Sequence, residues 1–214
     1  MQYIDYKRQS SSNIFDFYGN AYFESRRNVL FKIMHELQKQ NVNFAFGCSA
    51  NLFFRGIVDD FNDFDIIFEQ KYTDKILKIM SELGGQLVGT GGNGFCESDM
   101  YLHYILDSIH IDFIAGFRIN TFDKSYYCDL SSNPIENLDC EYLTLPLIPL
   151  EIQLTLYCMM EGWQPRRRFK RVIIYNYLNQ EGLTFPQILE DCLKQDLPDW
   201  IKKLIQSLLW KKGD

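Results

Sequence analysis

Residues 44–68, FAFGCSANLFFRGIVDDFNDFDIIF, constrain the fold more than any other stretch of this chain. An apolar run enters Gly47, a small-residue turn follows, and SANLFFRG (49–56) has the length and the glycine stop of a short helix. The next run, DFDIIFE (63–69), is rich in Ile and Phe and reads as a strand. Side chains alternate along a strand, so Asp63 and Asp65 share a face. Two carboxylates held that close repel, and one keeps its proton unless a cation or solvent relieves them. The pair therefore either hangs in water or holds metal. Gly47, sixteen residues before Asp63, lets the backbone turn sharply and approach a ligand. The amides of the helix start and the Ser49 hydroxyl are placed to bind phosphate.

The flanking segments extend this into an α/β arrangement. Residues 19–40 read as a helix, with Val29, Leu30, Ile33, Met34 and Leu37 at helical spacing. NVNFAFG (41–47) is a short strand, and TDKILKIMSELGG (73–85) is an amphipathic helix with Thr73 as its cap and glycines as its stop. QLVGT suggests a third strand. MYLHYIL (100–106), the turn DS and IHIDFIAGF (109–117) read as a β-hairpin. Residues 119–146 show little periodicity and read as an irregular connection, with room for a short strand near 142–145. From Pro149 the pattern turns helical, with four segments punctuated by Pro and Gly. The expected organisation is a core at 1–118, the connection at 119–146 and a helical region at 147–214.

Composition excludes some roles. A net charge of −6 and a pI near 5.1 argue against a duplex nucleic-acid binder. The N-terminal MQYIDYKRQSSSNIFDFYGN has no apolar signal core, and no apolar run is long enough to span a membrane, so a cytoplasmic protein is expected. Cysteines at 48, 96, 128, 140, 158 and 192 form no C-x-x-C pair, which reads as reduced, mostly buried thiols. GTGGNG (89–94) matches G-x-G-x-x-G, but no helical pattern follows it, as a dinucleotide site requires. It reads as a glycine loop between strands that either only links them or borders a substrate.

The Gly47 turn, the helix and the Asp-x-Asp strand together resemble the DNA polymerase β-like nucleotidyltransferase superfamily. GCSANLF looks like that family's G-G-[ST]-A-L element with Cys48 at the second glycine. The spacing to Asp63 is similar to that of the lincosamide and aminoglycoside nucleotidyltransferases. The resemblance implies a mixed β-sheet flanked by helices, followed by a helical region. It implies that Asp63, Asp65 and a third acid from a neighbouring strand, Asp112 in IHIDFIAGF, hold two Mg²⁺ ions, and that Gly47 and Ser49 hold the outer phosphates. The implied reaction moves a nucleoside monophosphate, AMP from ATP, to a hydroxyl of a small-molecule acceptor. Glu151, in LTLPLIPLEIQ, stands where some members carry a general base, or else it serves a helix N-terminus. His110 lies two residues before Asp112, either touching nucleotide or hydrogen-bonded structurally. Arg167 and Lys170, within PRRRFKR, are either a solvated helix face or a clamp on triphosphate. Two other functions stay open: a non-catalytic module of the same fold, and an antitoxin-like protein that adenylylates or binds a partner protein.

Overall fold

The computed structural model describes residues 21–92, 95–121, 123–140, 143–162 and 164–210. The polar N-terminal stretch, Asn93 and Gly94 of the glycine loop, and the first residue, 142, of the expected short strand lie outside them.

In chain order the elements are α1 (Ala21–Lys39), β1 (Phe44–Phe46), α2 (Cys48–Phe54), β2 (Phe64–Phe68), α3 (Thr73–Glu82), β3 (Gln86–Thr90), β4 (Met100–Leu106) and β5 (Ile109–Ala115). They continue with β6 (Phe117–Thr121), β7 (Lys124–Cys128), β8 (Glu136–Cys140), β9 (Leu143–Leu147), α4 (Leu150–Glu161), α5 (Arg168–Glu181), α6 (Pro186–Leu193) and α7 (Asp199–Trp210). Seven strands form one mixed sheet in the order β3-β4-β5-β2-β1-β9-β8. β2 runs parallel to β5 and antiparallel to β1, and β1 meets β9 in parallel.

Hydrophobic alternation decides which way each strand faces. Phe64, Ile66 and Phe68 of β2, Ile111 and Phe113 of β5, and Phe44 and Phe46 of β1 enter one core with α1 and α3. All five of the expected α1 positions, Val29, Leu30, Ile33, Met34 and Leu37, are buried in it. The intervening residues Ala45, Ile67 and Ile114 face the opposite way, into a second core built on α4, α5, α6 and α7. Period-2 geometry puts Asp65 and Asp112 on that second face, between the sheet and the helical half. Each fully buried Phe or Ile in this arrangement contributes about 1.5–3 kcal/mol.

Residues 119–146 are not an irregular connection. β6 and β7 pair as a separate hairpin, and β8 and β9 complete the main sheet. Sequence periodicity fails there because β8 is an edge strand, with alternating exposed and half-buried residues that bury no apolar stripe. Thr73 is the first residue of α3 and not its cap: its hydroxyl donates to the Gln70 carbonyl at 2.7 Å, within a short 3₁₀ turn that precedes the helix. No helix among the described residues is long and apolar enough to cross a membrane. The six cysteines are unpaired, and four are buried.

Candidate active site

β2 and β5 lie side by side, with Asp65 directly opposite Asp112. Asp63 stands one step before β2 on the same face as Asp65. The three carboxylates sense one another. Burial first, then the charge of Asp112, raises the pKa of Asp63. Burial, then Asp63 and Asp112, raises that of Asp65 well above the usual range. Asp65 keeps a little surface open to the cleft while protein surrounds it on nearly every side. Arg26 of α1 reaches the loop before this pair, donating from Nη2 to the Asn62 carbonyl at 3.3 Å.

Opposing charge comes from the helical half. Arg167 and Lys170, in the turn entering α5 and in its first turn, lie close enough to Asp63 to oppose its raised pKa. Lys170 is half-buried, and desolvation followed by the charge of Arg167 lowers its own pKa. The basic run is therefore split. Arg167 and Lys170 face the carboxylates, while Arg171 binds Glu161 at 2.5 Å. Cys96, just past the glycine loop, also senses Asp65 and Arg167, and burial pushes its thiol up to about 11. The segment just past the loop thus flanks the cluster, and a turn and then β4 follow, not the helix of a dinucleotide site.

The glycine turn works differently from the sequence expectation. Gly47 is extended, with φ −117° and ψ −173°. It is held to β2 through its N–H, which donates to the Asp65 carbonyl at 2.8 Å. Its lack of a side chain answers to space, because a Cβ there would lie 3.3 Å from Ile67 and 3.5 Å from Ile148. The sharp turn falls one residue later, at Cys48, whose φ is +46°. That is the left-handed region, which a side chain enters at a cost of about 1–2 kcal/mol. The second glycine of the motif suits this backbone, and Cys48 occupies it under strain while its thiol bonds Asp65. Cys48→Gly is therefore expected to be more stable than Cys48→Ala by about 1 kcal/mol, the reverse of the order at ordinary helix positions. Urea denaturation of the two variants checks this, and alanine ahead of glycine would remove the strain argument. Ser49 follows on α2 and is buried, 6% exposed.

Asp112 is tied down by residues the sequence reading did not single out. The Tyr101 hydroxyl donates to its Oδ2, and Nδ1 of His103 faces its Oδ1. His110 contacts His103, ring on ring, with Nδ1 at 3.2 Å from Nε2, and stays exposed. The signal for His103 was in the hairpin. A two-residue turn at Asp107 and Ser108 pairs residues equidistant from it, so His103 falls opposite Asp112. Tyr101 is its neighbour on the same face.

Glu151 is not brought into the cluster. It is fully buried, and its Oε1 accepts from the backbone N–H groups of Thr184 and Phe185 at 2.7 and 2.9 Å, in the turn before α6. A carboxylate with no surface, committed to two amides, cannot meet an acceptor hydroxyl. The general-base expectation is corrected: Glu151 clamps α4 to the turn before α6.

Magnesium takes hard oxygen ligands, and Asp63 and Asp65 supply them with negative charge that the protein leaves in excess. They fit the ion. Asp112 meets Tyr101 and His103 with its two oxygens, and a carboxylate hydrogen-bonded in this way keeps lone pairs for a cation. Among the described residues no group of three His, Cys, Asp or Glu side chains is set to hold one ion.

The raised pKa values fix a pH dependence. Asp63 and Asp65 hold their protons more tightly in the folded protein than in an unfolded chain, where such groups titrate near 3.8. Their contribution to stability is therefore full below that pH and is lost as pH rises through the higher folded values. Between about pH 4 and 7, the ligand-free melting temperature is expected to gain in Asp63→Asn/Asp65→Asn relative to wild type as pH rises. Parallel curves for the two proteins would show that the carboxylates are not strained.

These strand ends, glycine turn and facing helices make up the nucleotidyltransferase fold. The chain is similar to a candidate nucleotidyltransferase from Thermotoga maritima, with a TM-score of 0.54 and 20% identity over 73% of this chain and 94% of that one. It is also similar to ANT(2'')-Ia in complex with adenylyl-2''-tobramycin, with a TM-score of 0.54 and 10% identity over 88% of this chain and 99% of that one. The solution structure of the antibiotic-resistance factor ANT(2'')-Ia gives 0.53 and 11% over 74% and 86%. No protein-family model matches the sequence, and a search of curated proteins finds no match.

Proposed function

We propose that the protein transfers a nucleoside monophosphate, AMP from ATP, to a hydroxyl of a small-molecule acceptor. The observation that carries this reading is the convergence of Asp63 and Asp65 with Arg167 and Lys170 across one cleft. Transfer of this kind needs charge neutralisation and in-line positioning more than covalent help. Asp63 and Asp65 would hold Mg²⁺, which when bound neutralises phosphate charge and orients it. Arg167 and Lys170 face the same space and would draw in the triphosphate. The acceptor oxygen attacks the α-phosphorus and pyrophosphate leaves. The fold shared with ANT(2'')-Ia, solved in complex with adenylyl-2''-tobramycin, supports a small-molecule acceptor.

One observation favours a second reading. Asp112 has both oxygens engaged by Tyr101 and His103, as suits a module that binds nucleotide or a partner protein without turnover. Calorimetry with the four nucleoside triphosphates, with and without magnesium, tests the first reading on wild type and Asp63→Asn/Asp65→Asn. Magnesium-dependent binding of ATP that the variant loses is the expected result. No binding of any nucleotide in either condition would move the assignment to a partner-binding module.

A further inference from the structure

Two side chains on α4 are buried polar groups without partners. Gln153 and Tyr157 are each 0% exposed. Both ends of the Gln153 amide and the Tyr157 hydroxyl have no hydrogen-bond partner among the described residues. An orphaned buried polar atom destabilises the fold, and Gln153 and Tyr157 place three of them within about one turn of α4.

Their placement is specific. Residues four apart on a helix share a face, so both groups look the same way. For Tyr157 that way is the active-site cleft. The guanidinium of Arg167 lies 5.9 Å and the ammonium of Lys170 5.7 Å from its ring centre, within cation–π range. Cys48 and Asp65 also lie close enough to act on its hydroxyl, whose pKa rises through burial first and then their charge. On the opposite side of α4, Thr155 is by contrast satisfied by the Glu151 carbonyl and by Cys192, and Glu151 Oε1 by two backbone amides, while Glu151 Oε2 is a further orphan that faces away from Tyr157.

We infer that Gln153 and Tyr157 are substrate-binding residues, in which the Tyr157 O–H donates to a phosphate oxygen of the nucleotide and the Gln153 amide takes a sugar hydroxyl. The assignment of ligand follows from chemistry. The Tyr157 donor sits under two cations, where an anion collects. The Gln153 amide both donates and accepts, as a sugar hydroxyl does. The two groups stand one helical turn apart, a separation that a sugar and its phosphate can bridge. Arg167 and Lys170 cover the Tyr157 ring in the ligand-free protein, and a phosphate that draws their charged ends outward opens the path to the hydroxyl. This inference rests on the proposed function and adds two residues to it.

The test is binding and stability measured together on wild type, Tyr157→Phe and Gln153→Leu. The probes are ATP and inorganic tripolyphosphate, both with magnesium, by calorimetry. Tyr157→Phe is expected to weaken both probes by about tenfold, and Gln153→Leu to weaken ATP by a similar factor. Each variant removes an orphaned group, so the ligand-free melting temperature should hold or rise by about 2–4 °C. A structural role would instead lower it and leave affinity alone. Wild-type affinity for ATP in either variant overturns this inference while leaving the proposed function standing. A wild-type protein that binds neither ATP nor tripolyphosphate overturns both.

Discussion

Replacing Asp65 by asparagine is expected to make the ligand-free protein more stable and to slow nucleotidyl transfer by about 10³-fold. The two effects share one cause. Asp65 sits beside Asp63 and opposite Asp112, away from water on nearly every side. Arg167 and the Cys48 thiol offset part of its charge, yet burial and two like charges outweigh them and raise its pKa. Asparagine keeps the shape and removes the charge, so the gain in stability should be of the order of 1–3 kcal/mol near neutral pH. The same charge is what a divalent cation would bind, and an amide is a far weaker ligand for magnesium. Melting curves and a product assay on one preparation read both effects. Lower stability together with unchanged turnover would mean that Asp65 is a structural acid held by Arg167, and the catalytic reading would fall. Asp112 gives the internal contrast. Tyr101 and His103 already satisfy it, so Asp112→Asn breaks made hydrogen bonds and should destabilise where Asp65→Asn stabilises.

Much of this site was legible in the sequence because strands obey a strict period. Asp63 and Asp65 could be placed on one face from spacing alone, and the two-residue turn at Asp107–Ser108 fixed the hairpin that carries Asp112. The same turn also fixed His103 opposite Asp112, a signal present but not used. Other features were hidden for physical reasons. A buried hydroxyl such as that of Tyr157 looks in sequence like any other aromatic on an apolar helix. α4 is buried along nearly its whole length, so no polar stripe marks the face that meets the cleft. Glu151 misled because its position in the chain matches a general base, while its partners lie 33 and 34 residues onward in a turn that no local pattern announces. β8 was missed because it joins the sheet at its edge, where side chains need not be apolar, whereas β9, with its buried leucines, falls on the short strand expected near 142–145. The strain at Cys48 was foreshadowed by the motif, which carries glycine there, but the sequence placed the turn at Gly47.

The largest effect on stability is expected at Asn51, which touches no candidate catalytic group. It is fully buried in α2. Its Nδ2 donates to the carbonyls of Phe46 at 2.9 Å and Ile148 at 2.8 Å, at the ends of β1 and just beyond β9. Its Oδ1 accepts from Arg55 Nε at 2.9 Å, and Arg55 in turn grips both oxygens of Glu136 on β8 at 2.9 Å each. One amide thus joins the central strand, the returning strand and the sheet edge to the helix that follows Gly47. Asn51→Ala removes both donors and one of the acceptors that hold Arg55, for a loss of about 2–4 kcal/mol. Asn51→Asp separates hydrogen bonding from shape. The carboxylate fills the same space and can still accept from Arg55, but it cannot donate and sets negative oxygens against two carbonyls. It should therefore destabilise at least as much as alanine. Urea denaturation midpoints at constant slope measure both variants. A loss below about 0.5 kcal/mol in either, within the range of ordinary surface substitutions, would show that the junction is held by packing alone. A large loss in both would explain how the Gly47–Cys48 turn keeps its strained backbone: the helix behind it is pinned to the sheet by Asn51 and the Arg55 it helps to hold.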